Sequence, residues 1–338
     1  MIAVIFGAGA SYDSVPSQRP KMRPADIRPP LANDLFLDRP LVRDALRYFP
    51  QCHPIIPYLQ AVPAGQALEH VMEELREEAK ADIERAKQMA AVRYFLHFLI
   101  WEHERHWADL AQGITNHVTL LDQLRRVKVS NEPAMLITFN YDRLIEDALK
   151  SVRVNITSIH DYIQHNEFKL FKLHGSVNWG KEILGGMENI TDLDSWKIVS
   201  RVIEAAPQLE LGSLFHVVTE HPIARHGDKA LFPAIAVPVE TNKNFECPEE
   251  HLVHLKELLP RVKTMIILGW RGTEKHFLEI LKSSCHTGVQ VCTVAESLEA
   301  ANAILEQLQD AGLKINGTPF GEGFTEFVIR REVERFLA

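Results

Sequence analysis

The 338-residue sequence has few cysteines, no long apolar run and no excess of positive charge. Its four cysteines, Cys52, Cys247, Cys285 and Cys292, form no Cys-x-x-Cys pair, so a zinc ribbon is excluded. Met1 leads directly into an apolar strand with no charged-then-apolar leader, which points to a cytoplasmic chain whose cysteines act as small buried hydrophobes. No apolar stretch reaches the roughly 18 residues a membrane span needs. Lys and Arg number 37 against 45 Asp and Glu, a net charge of −8, which argues against a whole-surface nucleic-acid binder.

Apolar residues at 46% and charged residues at 24% are ordinary globular values, and the length suits one large α/β domain with a smaller module. Three short apolar runs read as buried strands: Ile2 to Phe6, Ala134 to Phe139 and Phe168 to Leu173. Each leads into polar or glycine-rich residues, namely Gly7-Ala8-Gly9-Ala10-Ser11, Asn140-Tyr141-Asp142 and His174-Gly175-Ser176. Polar groups at the carboxyl ends of parallel strands are where open α/β sheets bind ligands.

Further along, segments alternate in type. Strands are predicted at 230–237, 264–268 and 289–294, and helices at 248–259, 273–283 and 297–311. A strand is also predicted at 152–159, helices at 116–127, 141–150 and 192–205, and a short edge strand at 325–329 before a final helix. Residues 12–30 hold five prolines and must form an irregular loop. Residues 31–48 read as helix interrupted at Pro40, and 66–112 as two helices or one bent helix. The fold class expected is α/β: a Rossmann-like, doubly wound, mainly parallel sheet with a helical insertion and no zinc ribbon.

Gly7 and Gly9 would let backbone amides approach a pyrophosphate, with Ser11 adding a hydroxyl. A dehydrogenase fingerprint would place a third glycine where Tyr12 stands, so hydride transfer is disfavoured. Asn140 and Asp142 could simply cap the helix that follows them. Of sixteen histidines, His174 stands out because it ends a strand and precedes Gly-Ser, and an ordinary imidazole can serve as a base near neutral pH.

GAGAS at 7–11, TFNYD at 138–142, KLHGS at 172–176 and ILGWRGTEKHF at 267–277 resemble, in order, the motifs of the sirtuin superfamily. The resemblance is to its SIR2-like branch of bacterial anti-phage defence proteins that destroy NAD. It implies one domain over 1–338, with a helical insertion module at 49–127 and the rest of the core at 128–338.

It further implies that NAD+ is the substrate, without a metal, and that the nicotinamide–ribose bond is hydrolysed. Asn140 would hold the ribose and position water, Asp142 would contact the carboxamide, and His174 would be the base. NAD contacts would come from Gly7, Ala8, Gly9, Ser11, Asp34, Thr138, Asp142, Ser176, Gly269, Trp270 and Glu274. Trp270 departs from the small or hydroxyl residue usual at its place. The family's Asp-Phe-Arg loop is missing from Pro30–Phe36.

A protein deacylase, an ADP-ribosyltransferase and a non-catalytic NAD or ADP-ribose sensor are the alternatives. The resemblance also implies control through a homo-oligomer or a separate ATPase or Argonaute-type partner. The apolar residues Val92, Tyr94, Phe95, Leu96, Phe98, Leu99, Ile100 and Trp101 supply helix faces that need covering, by this chain or by another copy.

Overall fold

The computed structural model describes residues 1–18, 28–31, 34–62, 68–127, 132–185, 187, 190–238 and 245–337. Among them, ten strands follow in chain order. They are β1 (Ile2–Phe6), β2 (Ala134–Thr138), β3 (Phe168–Lys172), β4 (Gly175–Ile183), β5 (Leu211–Val217), β6 (Arg225–His226), β7 (Lys229–Ile235), β8 (Thr264–Leu268), β9 (Val289–Val294) and β10 (Ile315–Phe320). The chain divides into two compact units. One comprises Met1–Ala25, Ala108–Leu173 and Glu249–Ala338; the other comprises Asp26–Trp107 and His174–Pro248.

The first unit holds a six-stranded sheet in the order β10-β9-β8-β1-β2-β3, with every neighbouring pair parallel. Strands β1 and β2 carry almost nothing but apolar side chains, as strands covered on both faces must. From β1 the chain steps outward to β2 and β3, then returns to the other side of β1 and steps outward again through β8, β9 and β10. That is the doubly wound order, and it puts the topological switch point between β1 and β8.

Helices flank this sheet. The helix Leu144–Ser151 buries Leu144, Ile145, Ala148 and Leu149, an apolar stripe at helical spacing. Helices Lys275–Ser284 and Leu298–Asp310 alternate with β8, β9 and β10 as expected.

The second unit is built differently. Its four-stranded sheet runs β5-β4-β7-β6, with every pair antiparallel. Residues 230–237, expected as a strand of the parallel sheet, belong largely to β7 here. The helical segment is two helices, Leu68–Glu78 and Ile83–Ala111. Tyr94 is buried and donates its hydroxyl to Leu231 O at 2.9 Å. Val92, Phe95, Leu96, Leu99 and Ile100 are likewise buried within the chain, so their faces are already covered. Pro40 starts the helix Pro40–Leu46 rather than interrupting one, because its fixed φ and missing N–H suit a first helical position.

Two further expectations fail. Residues 152–159 form no strand; Arg153 sits at φ 67°, which breaks an extended run. Residues 325–329 belong to the helix Gly323–Ile329, and the edge strand is β10 instead. Residues 19–27 of the proline-rich loop, and Ala32 and Asn33, lie outside the described residues. Among those described, Cys52 and Cys292 are buried and Cys247 and Cys285 half-buried, all four unbridged. No described helix is long and apolar enough to cross a membrane, and no described group of His, Cys, Asp or Glu is gathered to hold a metal ion.

Candidate functional site at the carboxyl ends of the parallel strands

Two strand ends meet at the switch point, and glycine sets how closely. Gly7 N donates to Leu268 O at 3.0 Å and Gly9 N to Gly269 O at 3.1 Å. A Cβ on Gly7 would lie 2.5 Å from both Gly269 O and Trp270 Cα, and one on Gly9 would lie 2.9 Å from Gly269 Cα. Gly269 sits at φ +60°, and its own Cβ would fall 2.5 Å from Ala10 N. The three glycines therefore interlock the β1 and β8 turns, backbone against backbone. Two amides that the sequence assigned to a pyrophosphate, those of Gly7 and Gly9, are spent on this joint. Ala8 follows Gly7 as the first residue of the short helix Ala8–Tyr12.

The turn after β2 is held by side chains instead. Thr138 Oγ1 accepts from Asn140 N at 3.0 Å and closes the turn. Asn140 Nδ2 donates to Gly7 O at 2.9 Å and to Ser11 Oγ at 2.8 Å, while Ser11 Oγ donates to Asp142 Oδ2 at 2.6 Å. A carbonyl can only accept, so Gly7 O fixes which end of the Asn140 amide is nitrogen. The proton order then runs one way, from Asn140 through Ser11 to the Asp142 carboxylate. It leaves Asn140 Oδ1 without a partner among the described residues.

Asp142 also steadies the entry to the next helix, whose N-cap position is Arg143. Its Oδ1 accepts from Leu144 N at 3.2 Å, at the start of helix Leu144–Ser151. One carboxylate thus serves both the relay and the start of the helix.

Trp270 explains its own departure from the expected small residue. It is buried, stacks on Phe139 with centroids 5.4 Å apart and planes 10° apart, and meets Phe277 edge-on at 5.6 Å. Its indole Nε1 donates to Glu274 Oε2. Trp270 and Glu274 are therefore occupied with bracing the β8 turn against the β2 turn.

Beneath these turns lie residues that sequence reasoning passed over. Asp13 accepts from Thr325 N at 3.0 Å and from Thr325 Oγ1 at 2.6 Å. Asn116 Nδ2 donates to Asp13 O at 2.6 Å and to Thr325 Oγ1 at 2.8 Å. His117 is buried between Phe6 and Phe324, with no hydrogen-bond partner on either ring nitrogen, and burial pushes its pKa down to about 3. Lys172, at the end of β3, is fully buried; it donates to Asp142 O and lies 3.0 Å from Glu146 Oε1. The available signal was faint, because β3 also carries Lys169 and only position at the strand's carboxyl end sets Lys172 apart.

The remaining sequence candidates lie in the second unit. His174 precedes Gly175, whose φ is +83° and whose added Cβ would lie 1.9 Å from Ala234 O. His174 O accepts from Ala236 N at 2.8 Å. Protein surroundings push the ring's pKa down to about 4, so it is neutral at physiological pH. Ser176 is buried in β4. Asp34 forms an ion pair with Arg39 at 3.5 Å.

Polar turns at the switch point of a doubly wound parallel sheet stand where such sheets bind ligands. A family model described as SIR2-like domain matches residues 134–203, which contain both the Asn140 turn and the His174 motif. A solved structure described as "The Structural basis of Sirtuin Substrate Affinity" is similar at a TM-score of 0.39 and 14% identity, over 99% of this chain and 93% of that one. A search of curated proteins finds no match to this chain.

Proposed function

We propose that this chain binds NAD+ at the carboxyl ends of β1, β2 and β8 and hydrolyses its nicotinamide–ribose bond. The observation that carries this reading is the one-way hydrogen-bond relay. It fixes Asn140 and leaves Oδ1 as a preset acceptor for a ribose hydroxyl or for water. In the reaction the C1′–N bond breaks and its electron pair leaves on nicotinamide, which departs neutral. Water forms the new C1′–O bond and gives up a proton, yielding ADP-ribose. His174, neutral at pH 7, is the proposed proton acceptor. The matched SIR2-like stretch supports NAD as the substrate.

The test is direct. Purified protein incubated with NAD+ in H2¹⁸O should release nicotinamide and ADP-ribose carrying one heavy oxygen. Nicotinamide release only when an acetylated peptide or a protein acceptor is present would replace hydrolysis by transfer.

A second reading has its own support. With a pKa near 4 the His174 ring is a weak base, and two glycine amides are spent inside the fold. Both would suit a sensor that binds NAD or ADP-ribose without cutting it. Tight NAD+ binding by calorimetry, with no nicotinamide formed over hours, would favour that reading.

As an NAD-depleting effector in anti-phage defence, the chain would need restraint by self-assembly or a partner protein. The buried apolar residues of helix Ile83–Ala111 no longer motivate self-assembly. Light scattering beside an activity assay tests the restraint: a fully active monomer on NAD+ alone would rule it out.

A further inference from the structure

We infer that Lys172 is a positioning residue, which holds the Asn140–Asp142 turn in its working shape from beneath. The inference rests on the reading of that turn as the NAD site. Lys172 is the last residue of β3, paired in register with Thr138 of β2, and its side chain is fully buried. A buried ammonium is costly unless every proton finds an acceptor. One is given to the main-chain carbonyl of Asp142 and one to Glu146 Oε1 at 3.0 Å. Glu146 Oε1 also accepts from Tyr162 OH at 3.0 Å, while Glu146 Oε2 is buried without a partner.

This arrangement is a poor stabiliser. A buried ion pair recovers little beyond its desolvation cost, and here one carboxylate oxygen is left orphaned. Apolar side chains of similar volume would pack the same space at least as well. What they could not do is grip the Asp142 carbonyl. That grip bears on the ligand side of the turn through covalent and hydrogen-bonded steps already described. The Asp142 backbone carries the carboxylate that takes the Ser11 proton, and Ser11 in turn takes a proton from Asn140 Nδ2. Fixing the carbonyl fixes the carboxylate, and with it the aim of Asn140 Oδ1. Misplacing a positioned group by about 1 Å can cost on the order of 10²-fold in rate.

Stability and positioning should therefore separate in the variant Lys172→Met/Glu146→Met/Tyr162→Phe, which removes all three polar groups together and strands none of them. We expect a midpoint of unfolding no lower than that of the unaltered chain. Amide hydrogen exchange should accelerate at least tenfold in peptides covering 138–144 and stay unchanged in β1 and β8. The nicotinamide-release kcat should fall roughly 10- to 100-fold with a smaller change in KM.

Lys172→Met alone leaves the buried Glu146 carboxyl without its cation, and should lower the midpoint sharply. Unchanged exchange at 138–144 in a stable triple variant would overturn the inference, as would an unchanged kcat. If the unaltered chain does not cleave NAD+, the hydrolase reading fails, and the exchange result alone decides whether Lys172 holds the turn.

Discussion

The turns after β1 and β8 and the turn after β2 stand at the same end of one sheet and are secured by opposite means. The first two are joined backbone to backbone through Gly7, Gly9 and Gly269, with no room for a Cβ. The third is held by the side chains of Thr138, Asn140, Ser11 and Asp142. A backbone joint is rigid and blind to the ligand; a side-chain relay can be altered atom by atom with the fold kept. Substitutions at the glycines should therefore report on folding, and substitutions in the relay on chemistry.

The largest effect is expected at the joint. Gly269→Val adds a branched side chain at a left-handed φ and against Ala10 N, and should leave little folded protein. Gly9→Val meets Gly269 before it meets any ligand, so it should lower the unfolding midpoint as well as weaken NAD+ binding. Normal stability with lost binding, seen by calorimetry beside thermal denaturation, would reverse that order and restore the glycines to phosphate binding.

Next comes the relay. Asn140→Ala should reduce nicotinamide release by about 10²- to 10⁴-fold while the protein stays folded, and His174→Ala should do the same if its ring takes the proton. Full turnover by either folded variant would remove that residue from the mechanism. Ser11→Ala removes a buried hydroxyl that both accepts from Asn140 and donates to a carboxylate, at a cost of about 1–3 kcal/mol in chemical denaturation. A loss much below that would show the relay to be looser than the distances imply.

The last effect appears only on acidification. His117 and His251 are buried and His174 is crowded by protein; burial lowers their pKa values to about 3, 4 and 4 from an ordinary 6.5. The unfolded chain takes up protons below pH 6.5 that the folded chain refuses. Stability is therefore complete above 6.5 and falls as pH drops toward 4, by at most about 1.4 kcal/mol per pH unit for each ring. His117→Leu should flatten this acid limb while leaving the stability at pH 8 within about 1.5 kcal/mol. An unchanged limb would absolve His117.

Much of the first unit could be read from the sequence. Its strands are short, continuously apolar and followed at once by Gly, Asn or Asp, and that pattern is local. The second unit was harder, because its sheet pairs β4 with β7, as in Gly175 with Ile235 and Glu182 with Leu231, far apart in sequence, and nothing local distinguishes β7 from a parallel strand. Residues 325–329 looked like a strand because Thr, Phe, Val and Ile favour one. Helix won because Asp13, far away in sequence, accepts from Thr325 N at the first turn. Asn140 and Asp142 were legible by type and place, but the spending of the Gly7 and Gly9 amides on β8 was not, since it depends on which strand lies next to β1. Lys172 was hidden by its apolar neighbours Phe168, Leu170 and Phe171, all of them buried beside it.

The bonds between Asp13 and Thr325 join residues 312 positions apart. During synthesis the segment that follows the β1 turn stays unfinished until residue 325 has emerged from the ribosome. Long-range closures of this kind come late in folding. A product truncated before Thr325 keeps the residues of the Asn140 turn but lacks the partner that Asp13 bonds in the finished chain.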